Sequence, residues 1–400
     1  MSTIDPFVHN PPFPKNYASD FLVMEKGKGC YLWDKSGNKY LDFGSGIAVN
    51  ALGYGRSDLA KIAEKQMKKL IHISNLFTTQ PALEFAQALV ASGPFAAVHF
   101  GNSGTEANEG AMKYARVYSL RTKGPGKHKF LSFRNAFHGR TFGALSLTPT
   151  PKYQAPYEPL VPDVYYCDYN DVEGLSKILD DSFAAVMLEP IQGEGGLNSV
   201  TLEFAQKLNE LCAKFNILMI ADEIQTGIGR TGEIFAYGAL GLKPDIVTLS
   251  KPLAGGLPLS ATLIPKKVND IIHVGDHGTT FGGGPVTSAV GLHVWKIITD
   301  PVFLAGVREK GLALRQGLEG LQKQFPNLTG EIRGKGLLQG IQLVLPEGKD
   351  VSTVVNACRE AGLIILRSGT NLLRIAPPLV ISKNEIAKGV EIIGKVLGTM

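Results

Sequence analysis

The spacing of apolar and polar residues divides the chain into an irregular start, a long alternating middle and a differently patterned end. Residues 1–28 are Pro-rich and follow no period, which reads as an arm laid on the rest of the molecule. Tyr31-Leu32-Trp33-Asp34 and Lys39-Tyr40-Leu41-Asp42-Phe43, separated by Ser36-Gly37-Asn38, predict a β-hairpin. A Gly-rich crossing at 44–50 and 53–55 then leads into a helix over about 57–70.

From about 82 to 290 helical and strand patterns alternate. A helix at 81–90, a short strand at 97–100 and a long amphipathic helix at 106–122 come first. Strand-like runs follow at 129–133, 164–166, 184–188, 217–221 and 245–248. Such alternation implies a mostly parallel sheet covered by helices on both faces, with ligands at the carboxyl ends of its strands. Beyond 290 come a helical stretch from 291 to 323 broken at Asp300-Pro301, strands at 336–343 and 362–366, and a helix at about 383–398. The expected fold class is α/β: a large domain at 46–290 and a smaller α+β domain at 291–400, to which the arm and hairpin of 1–45 are assigned.

Composition adds little to this picture but excludes several classes. A chain of 400 residues with 44% hydrophobic and 19% charged residues can bury a large core, as soluble globular proteins do. Its 46 glycines exceed the usual share of roughly 7% and imply many tight turns. A formal charge of +5 with interspersed signs gives no nucleic-acid or membrane surface. The densest basic run, 121–129, contains Gly124, Pro125 and Gly126 and reads as an exposed connection. Cys30, Cys167, Cys212 and Cys358 are scattered, with no metal-ligand spacing, so reduced thiols and no metal are expected. The start lacks the pattern of a signal peptide, and no apolar run approaches the roughly 18 to 20 residues that cross a bilayer, so the expected location is cytoplasmic.

Four stretches carry candidate chemistry. The run from Pro244 to Pro258 delivers Lys251 from a β-branched strand into a Gly/Pro-rich turn. Lysine is rarely buried without a partner or a task, so Lys251 is either a surface residue past a strand end or one that forms a Schiff base. In Asn102-Ser103-Gly104-Thr105-Glu106-Ala107-Asn108-Glu109, Ser103 or Thr105 can cap the long helix and Gly104 lets a ligand approach. The first-turn N–H groups suit a phosphate, although an ordinary helix cap has the same sequence. Asp222-Glu223-Ile224-Gln225-Thr226-Gly227 ends the strand 217–221, and a carboxylate there can partner a pyridinium nitrogen or simply cap a turn. Phe137-His138-Gly139-Arg140 offers a planar group to stack and a guanidinium to grip a carboxylate; on its own it is a loop with a buried Phe and a surface Arg. Gly227-Ile228-Gly229-Arg230-Thr231-Gly232 matches a dinucleotide fingerprint but is separated from its strand, opens no helix and lacks the following acidic residue.

Together with Glu189–Gly196, Ser250-Lys251, His277–Gly283 and Arg374–Leu379, these stretches resemble the class III, or ω-, aminotransferases of pyridoxal-phosphate fold type I, from about Tyr17 to the C-terminus. The resemblance implies pyridoxal 5′-phosphate as cofactor. Lys251 would form the Schiff base with it and carry the proton at the substrate's Cα. Asp222 would hold the ring nitrogen and Gln225 the phenolic oxygen, with Ile224 and Phe137 on the ring faces and His138 beside them. Ser103, Gly104 and Thr105 would bind the phosphate, joined by Thr280 of the partner subunit, so a homodimer with shared sites is expected. Gly284 stands where relatives usually have Asn, and Lys251 lies between Ser250 and Pro252 where relatives tend to have Ala and a non-proline.

On the same resemblance Arg140 would take the α-carboxylate of an acylated diamino acid, with Tyr17 among the substrate-binding residues. Arg374 would take 2-oxoglutarate, and Glu194 would cover Arg374 for one substrate and swing away for the other. Ile47 stands where ornithine-specific members have a tyrosine, which argues for donors whose α-amine is acylated or absent. The expected reaction moves the terminal amine of N2-acetylornithine to 2-oxoglutarate, a step of arginine biosynthesis; ornithine, 4-aminobutyrate and succinylornithine are alternative donors. The readings of another class are an aminomutase, decarboxylase or racemase, or a non-catalytic cofactor-binding protein. The presence of Lys251 speaks against the last, and the Glu194 and Arg374 pair favours a two-substrate transaminase.

Overall fold

The computed structural model describes residues 7–9, 11–17 and 20–400. The middle of the chain builds a seven-stranded sheet in the order Ala97–Gly101, Ser260–Ile264, Ile246–Leu249, Leu218–Asp222, Phe183–Leu188, Lys129–Phe133, Val164–Cys167. Only Ser260–Ile264 runs against its neighbours; the remaining pairings are parallel. Every residue of Phe183–Leu188, Leu218–Asp222 and Ile246–Leu249 is buried, which is why these strands read as unbroken apolar runs. Successive residues feed opposite layers. Ala185, Met187, Leu218 and Ile220 pack on Ala111, Met112 and Ala115 of the helix Gly104–Lys123. Val186, Leu188 and Met219 pack on Phe204, Leu208 and Leu211 of the helix Leu202–Phe215.

The reversed strand Ser260–Ile264 was absent from the periodic pattern. Its buried polar residues hide the apolar run: Thr262 Oγ1 donates to the Ala107 carbonyl at 2.9 Å, while the buried Ser260 Oγ has no partner among the described residues. The N-terminal arm also differs from expectation. Phe7–His9 pairs with Asp20–Leu22, and Met24–Lys28 pairs with Tyr31–Asp34 of the expected hairpin. These strands are short and Met24–Lys28 is largely exposed, so no alternation marked them. The parts of the arm at 1–6, 10, 18 and 19 lie outside the described residues.

The last part of the chain forms a four-stranded sheet in the order Thr329–Lys335, Leu338–Leu343, Leu372–Ile375, Leu366–Ser368. The run expected as one strand at 362–366 divides at Ile365. Leu363–Ile364 pairs in parallel with Leu41 and Asp42 of the hairpin, and Leu366–Ser368 joins the other sheet. The helical stretch breaks as expected: Asp300 accepts from the N–H groups of Val302 and Phe303 at 2.8 and 3.1 Å, and the helices Pro285–Ile298 and Pro301–Gln324 meet at 66°. The first of these helices crosses the boundary expected at 290. No single helix among the described residues is long and apolar enough to cross a membrane. One apolar cluster runs from Phe85 and Leu249 through Val294 and Leu314 to Ile375 and Ile393, joining the sheets into one core.

Candidate active site

Five parallel strands release their chains at one edge of the large sheet, and each release places a polar group there. Ala97–Gly101 leads to Gly104 and Thr105, Lys129–Phe133 to Phe137 and His138, and Phe183–Leu188 to Glu189. Leu218–Asp222 ends on Asp222 itself, and Ile246–Leu249 leads to Ser250 and Lys251. These residues line a cavity of about 280 Å³. Parallel register makes the convergence unavoidable, because every strand points its carboxyl end the same way.

Asp222 is fixed before any ligand arrives. Its Oδ2 accepts from Asn108 Nδ2 and from His138 Nδ1, both at 2.8 Å, and its Oδ1 accepts from the Ile224 N–H at 3.1 Å. A carboxylate only accepts, so His138 carries its proton on Nδ1; its Nε2 is buried with no partner among the described residues. Asn108 is held in turn: Thr248 Oγ1 donates to its Oδ1 at 2.8 Å, which turns the amide N–H groups toward Asp222 and the His138 carbonyl. Asn108 and Thr248 were not singled out as site residues, and buried side chains on core elements carry no separate sequence signal. Beside them, Glu189 accepts from the N–H groups of Phe137 and Gly193 at 3.0 and 2.9 Å. Burial, together with the Asp222 charge, pushes the Glu189 carboxyl up to about 7, against the pull of His138 and the two backbone donors.

Lys251 stands across the same cavity with φ 34°. A non-glycine residue held there stores about 1–3 kcal/mol, which persists only where the surroundings impose it. Here Pro252 follows directly, and Ser250 Oγ is anchored on the Leu259 carbonyl at 3.0 Å. Burial pushes the Lys251 amine below the ordinary lysine range; the Glu194 carboxylate works against that shift and the Arg374 guanidinium adds to it. The amine makes no hydrogen bond or ion pair among the described residues.

The expected cofactor fits this surface. The N–H groups of Gly104 and Thr105 open a 20-residue helix and have no partner among the described residues, which leaves an anion cradle. A Cβ on Gly104 would meet Ile224 Cδ1 at 2.9 Å, so a larger residue here would push the Ile224 side chain aside. Ser103 takes the structural part: it caps the helix by accepting from Glu106 N at 3.4 Å, and it does not line the cavity. Phe137, Ile224, His138 and Gln225 all line it.

The substrate residues fall on two sides. Arg140 is exposed, with its guanidinium 3.5 Å from the Tyr153 ring centre, and it borders both the cavity and a chamber of about 340 Å³ lined by Tyr17, Phe142, Leu145 and Tyr157. Arg374 is 3% exposed and pairs with Glu194; its Nη1 also donates to the Gly193 carbonyl at 2.8 Å and to Gln225 Oε1 at 3.1 Å. Gln225 Nε2 is turned to Glu194 at 3.4 Å. Burial raises the Glu194 carboxyl, but the charge and hydrogen bond of Arg374, with Lys251 and Gln225 beside them, together outweigh it and hold the group below the usual range. The backbone around Glu194 is pinned: Ser368 Oγ donates to the Gly193 carbonyl and accepts from Gly196 N, each at 2.8 Å, and the Gly369 N–H donates to the Glu194 carbonyl at 2.8 Å. Ile47 is 46% exposed on a left-handed turn, and Thr280 lies outside the Lys251 cavity, in a separate recess with His72, Asn75 and Phe281. Among the described residues no group of three or more His, Cys, Asp or Glu could hold a metal ion.

The sequence model of aminotransferase class-III matches residues 13–397. The chain belongs to the class III aminotransferases. As an aminotransferase it is 47% identical over 371 residues to the probable mitochondrial acetylornithine aminotransferase of Dictyostelium discoideum, covering 91% of this chain and 81% of that protein. Among solved structures, this class III aminotransferase resembles the ornithine aminotransferase of Toxoplasma gondii with a TM-score of 0.92 and 31% identity, covering 97% of this chain and 93% of that one. It resembles the N-acetylornithine aminotransferase of Stenotrophomonas maltophilia with a TM-score of 0.83 and 33% identity, covering 94% and 95%.

Proposed function

We propose that this aminotransferase holds pyridoxal 5′-phosphate between Lys251 and Asp222 and moves the terminal amine of N2-acetylornithine to 2-oxoglutarate. The observation that carries the substrate reading is the unequal state of two arginines: Arg140 is open to the cavity, and Arg374 is buried under Glu194. A donor with one carboxylate needs one receptor, whereas 2-oxoglutarate has two carboxylates and needs a second. A covered Arg374 keeps dicarboxylates from competing in the first half-reaction, and release of Glu194 exposes it for the second. Ile47 offers no polar group to a free α-amine, which supports an acylated donor over ornithine. The names of the Dictyostelium and Stenotrophomonas relatives point the same way.

When bound, pyridoxal 5′-phosphate supplies an electron sink for the pair left as an amine-bearing carbon loses its proton. The chain's own residues prepare for that loss. Gly104 and Thr105 would present N–H groups to the phosphate, and Phe137 and Ile224 would flank the ring. Asp222, oriented by three donors, would face the ring nitrogen. Lys251, with its basicity lowered by burial, would take the proton from the carbon bearing the amine and return it on the cofactor's side of that nitrogen. Arg140 fixes the donor's α-carboxylate so that its far amine, not its acylated one, reaches Lys251.

A homodimer with composite sites belongs to the same proposal. Thr280 does not reach this chain's own cavity; Phe77 and Phe281 of its recess are exposed, as are Ile71 and Leu76 in the segment that lines it. So does a division into 46–290 and 1–45 with 291–400, which the pairing of Leu363 with Leu41 supports. A cytoplasmic location accords with four buried free cysteines. Purified, cofactor-loaded protein given acetylornithine, succinylornithine, ornithine or 4-aminobutyrate with 2-oxoglutarate is expected to form glutamate fastest from acetylornithine. Faster turnover of ornithine would overturn the donor, and consumption of either substrate alone without glutamate would overturn the transaminase reading.

A further inference from the structure

The run Gly227–Gly232 looks like a dinucleotide loop and serves another end. Ile228, Gly229 and Gly232 all have positive φ, 56°, 80° and 90°, and fold it into a tight turn. The turn is packed without slack: a Cβ on Gly229 would meet Ile298 Cγ2 at 2.5 Å, and one on Gly232 would meet Arg308 Cγ at 2.5 Å. This geometry drives Arg230 inward until it is 1% exposed.

The buried guanidinium ends where three segments meet. Its Nη1 donates to the carbonyls of Leu337, at 3.2 Å, and Pro377, and its Nη2 lies 3.5 Å from Ser45 Oγ. The Arg230 carbonyl accepts from the Leu337 N–H at 2.9 Å, so backbone and side chain grip the same residue. Ser45 Oγ donates to the Ala376 carbonyl at 2.6 Å, and the Ala376 N–H donates to the Phe43 carbonyl at 2.7 Å. Ser45, Gly46, Ile47 and Ala48 form a left-handed turn with φ between 43° and 63°, entered through Asp42, which accepts from the N–H groups of Gly44 and Ser45. Arg374 lies three residues before Pro377 on the strand Leu372–Ile375 that leads into this junction.

A buried guanidinium without a carboxylate partner is a costly way to fill space; an apolar side chain of similar volume would stabilise the core better. No carboxylate pairs with Arg230 among the described residues; Asp42 acts only at a distance, against the downward push of burial. What a planar fork supplies, and an apolar group does not, is a fixed separation between carbonyls of different segments. We propose that Arg230 is a positioning residue: without touching substrate, it fixes the strand end that carries Arg374 against the turn at 44–48, and so sets how tightly a dicarboxylate is held. This rests on the reading of Arg374 as the dicarboxylate receptor.

The test is calorimetric titration of glutarate, an unreactive dicarboxylate, into cofactor-loaded protein, with Tm and KM for each substrate measured alongside. Arg230→Lys is expected to weaken glutarate by about tenfold or more and to raise KM for 2-oxoglutarate with it, because displacement by a fraction of an ångström is costly at a bidentate contact. Ser45→Ala is expected to weaken glutarate by roughly threefold, the loss of one shared hydrogen bond. Cofactor affinity stays close to that of the parent protein in both. Arg374→Ala separates the two claims. If it leaves glutarate binding intact, the receptor reading and this inference fall together. If it abolishes binding while Arg230→Lys and Ser45→Ala lower only Tm, Arg230 is structural and the inference alone falls. Should Arg230→Lys not fold, Ser45→Ala decides.

Discussion

At the scale of single residues, the site is a set of charges held in place by uncharged neighbours. Lys251 is the group whose removal should separate binding from turnover. Lys251→Ala is expected to lower glutamate formation by at least about 10³-fold while leaving a folded protein, since a positioned proton carrier contributes on that order. Retained turnover in that variant, followed with the cofactor's visible absorbance, would refute its role. Asn108 offers a subtler check. Its amide ties Thr248 to Asp222 and His138, all buried, so Asn108→Ala leaves a carboxylate and a hydroxyl short of partners. A cost of about 1–3 kcal/mol in chemical denaturation and a weaker hold on cofactor are expected; unchanged values for both would show that Asp222 needs no such support. Lys251, Asp222, Gly104 and Arg140 stood out near strand ends, but each kept an ordinary structural reading until the resemblance to class III aminotransferases gave it a role; the structure brings all four around one cavity. Asn108 and Thr248 did not stand out, because a polar residue inside a core element announces itself only through partners distant in sequence, and Glu189, although it follows a strand end, gained a task only from its place beside Asp222.

At the scale of elements, the central parallel strands were legible because burial on both faces makes them continuous apolar runs. The reversed strand Ser260–Ile264 and the short arm strands were not: the first mixes hydroxyl residues into its inward face, and the others bury too little to impose alternation. Glu223 gives a prediction at this scale. It follows the strand Leu218–Asp222 and accepts from Thr226 Oγ1 and, at 2.7 Å, from the N–H of Tyr237 in the short helix Ala236–Ala239. Burial pushes its carboxyl up to about 7, against those donors. The folded chain thus keeps a proton that the unfolded chain releases above its ordinary value of 4.5, so this contribution is full below that value and is lost as pH rises through 7. Glu223→Gln carries no such penalty, and its Tm relative to the parent is expected to rise between about pH 5 and about pH 8. A difference that is flat with pH would mean that Glu223 is ionised throughout.

At the scale of the whole molecule, the proposed homodimer is tested through Thr280, which lies outside the Lys251 cavity of its own chain. Mixed subunits of Lys251→Ala and Thr280→Ala are expected to show more activity than either parent variant, because one of the two sites in each mixed pair regains both residues. Activity that never rises above the parents would place Thr280 outside the reaction. Assembly of this kind has no signature in a single sequence beyond exposed apolar residues, and Leu76 and Phe77 become conspicuous only when seen on a folded surface. The pinned backbone on both sides of Glu194 has a consequence of its own. Gly193, Glu194 and Gly196 are each tied to Ser368 or Gly369, so the exchange of partners proposed for Glu194 is a rotation about side-chain bonds. Selection between the two substrates then demands no rearrangement of the fold, and crystals soaked alternately in donor and acceptor should turn over both while their lattice stays intact.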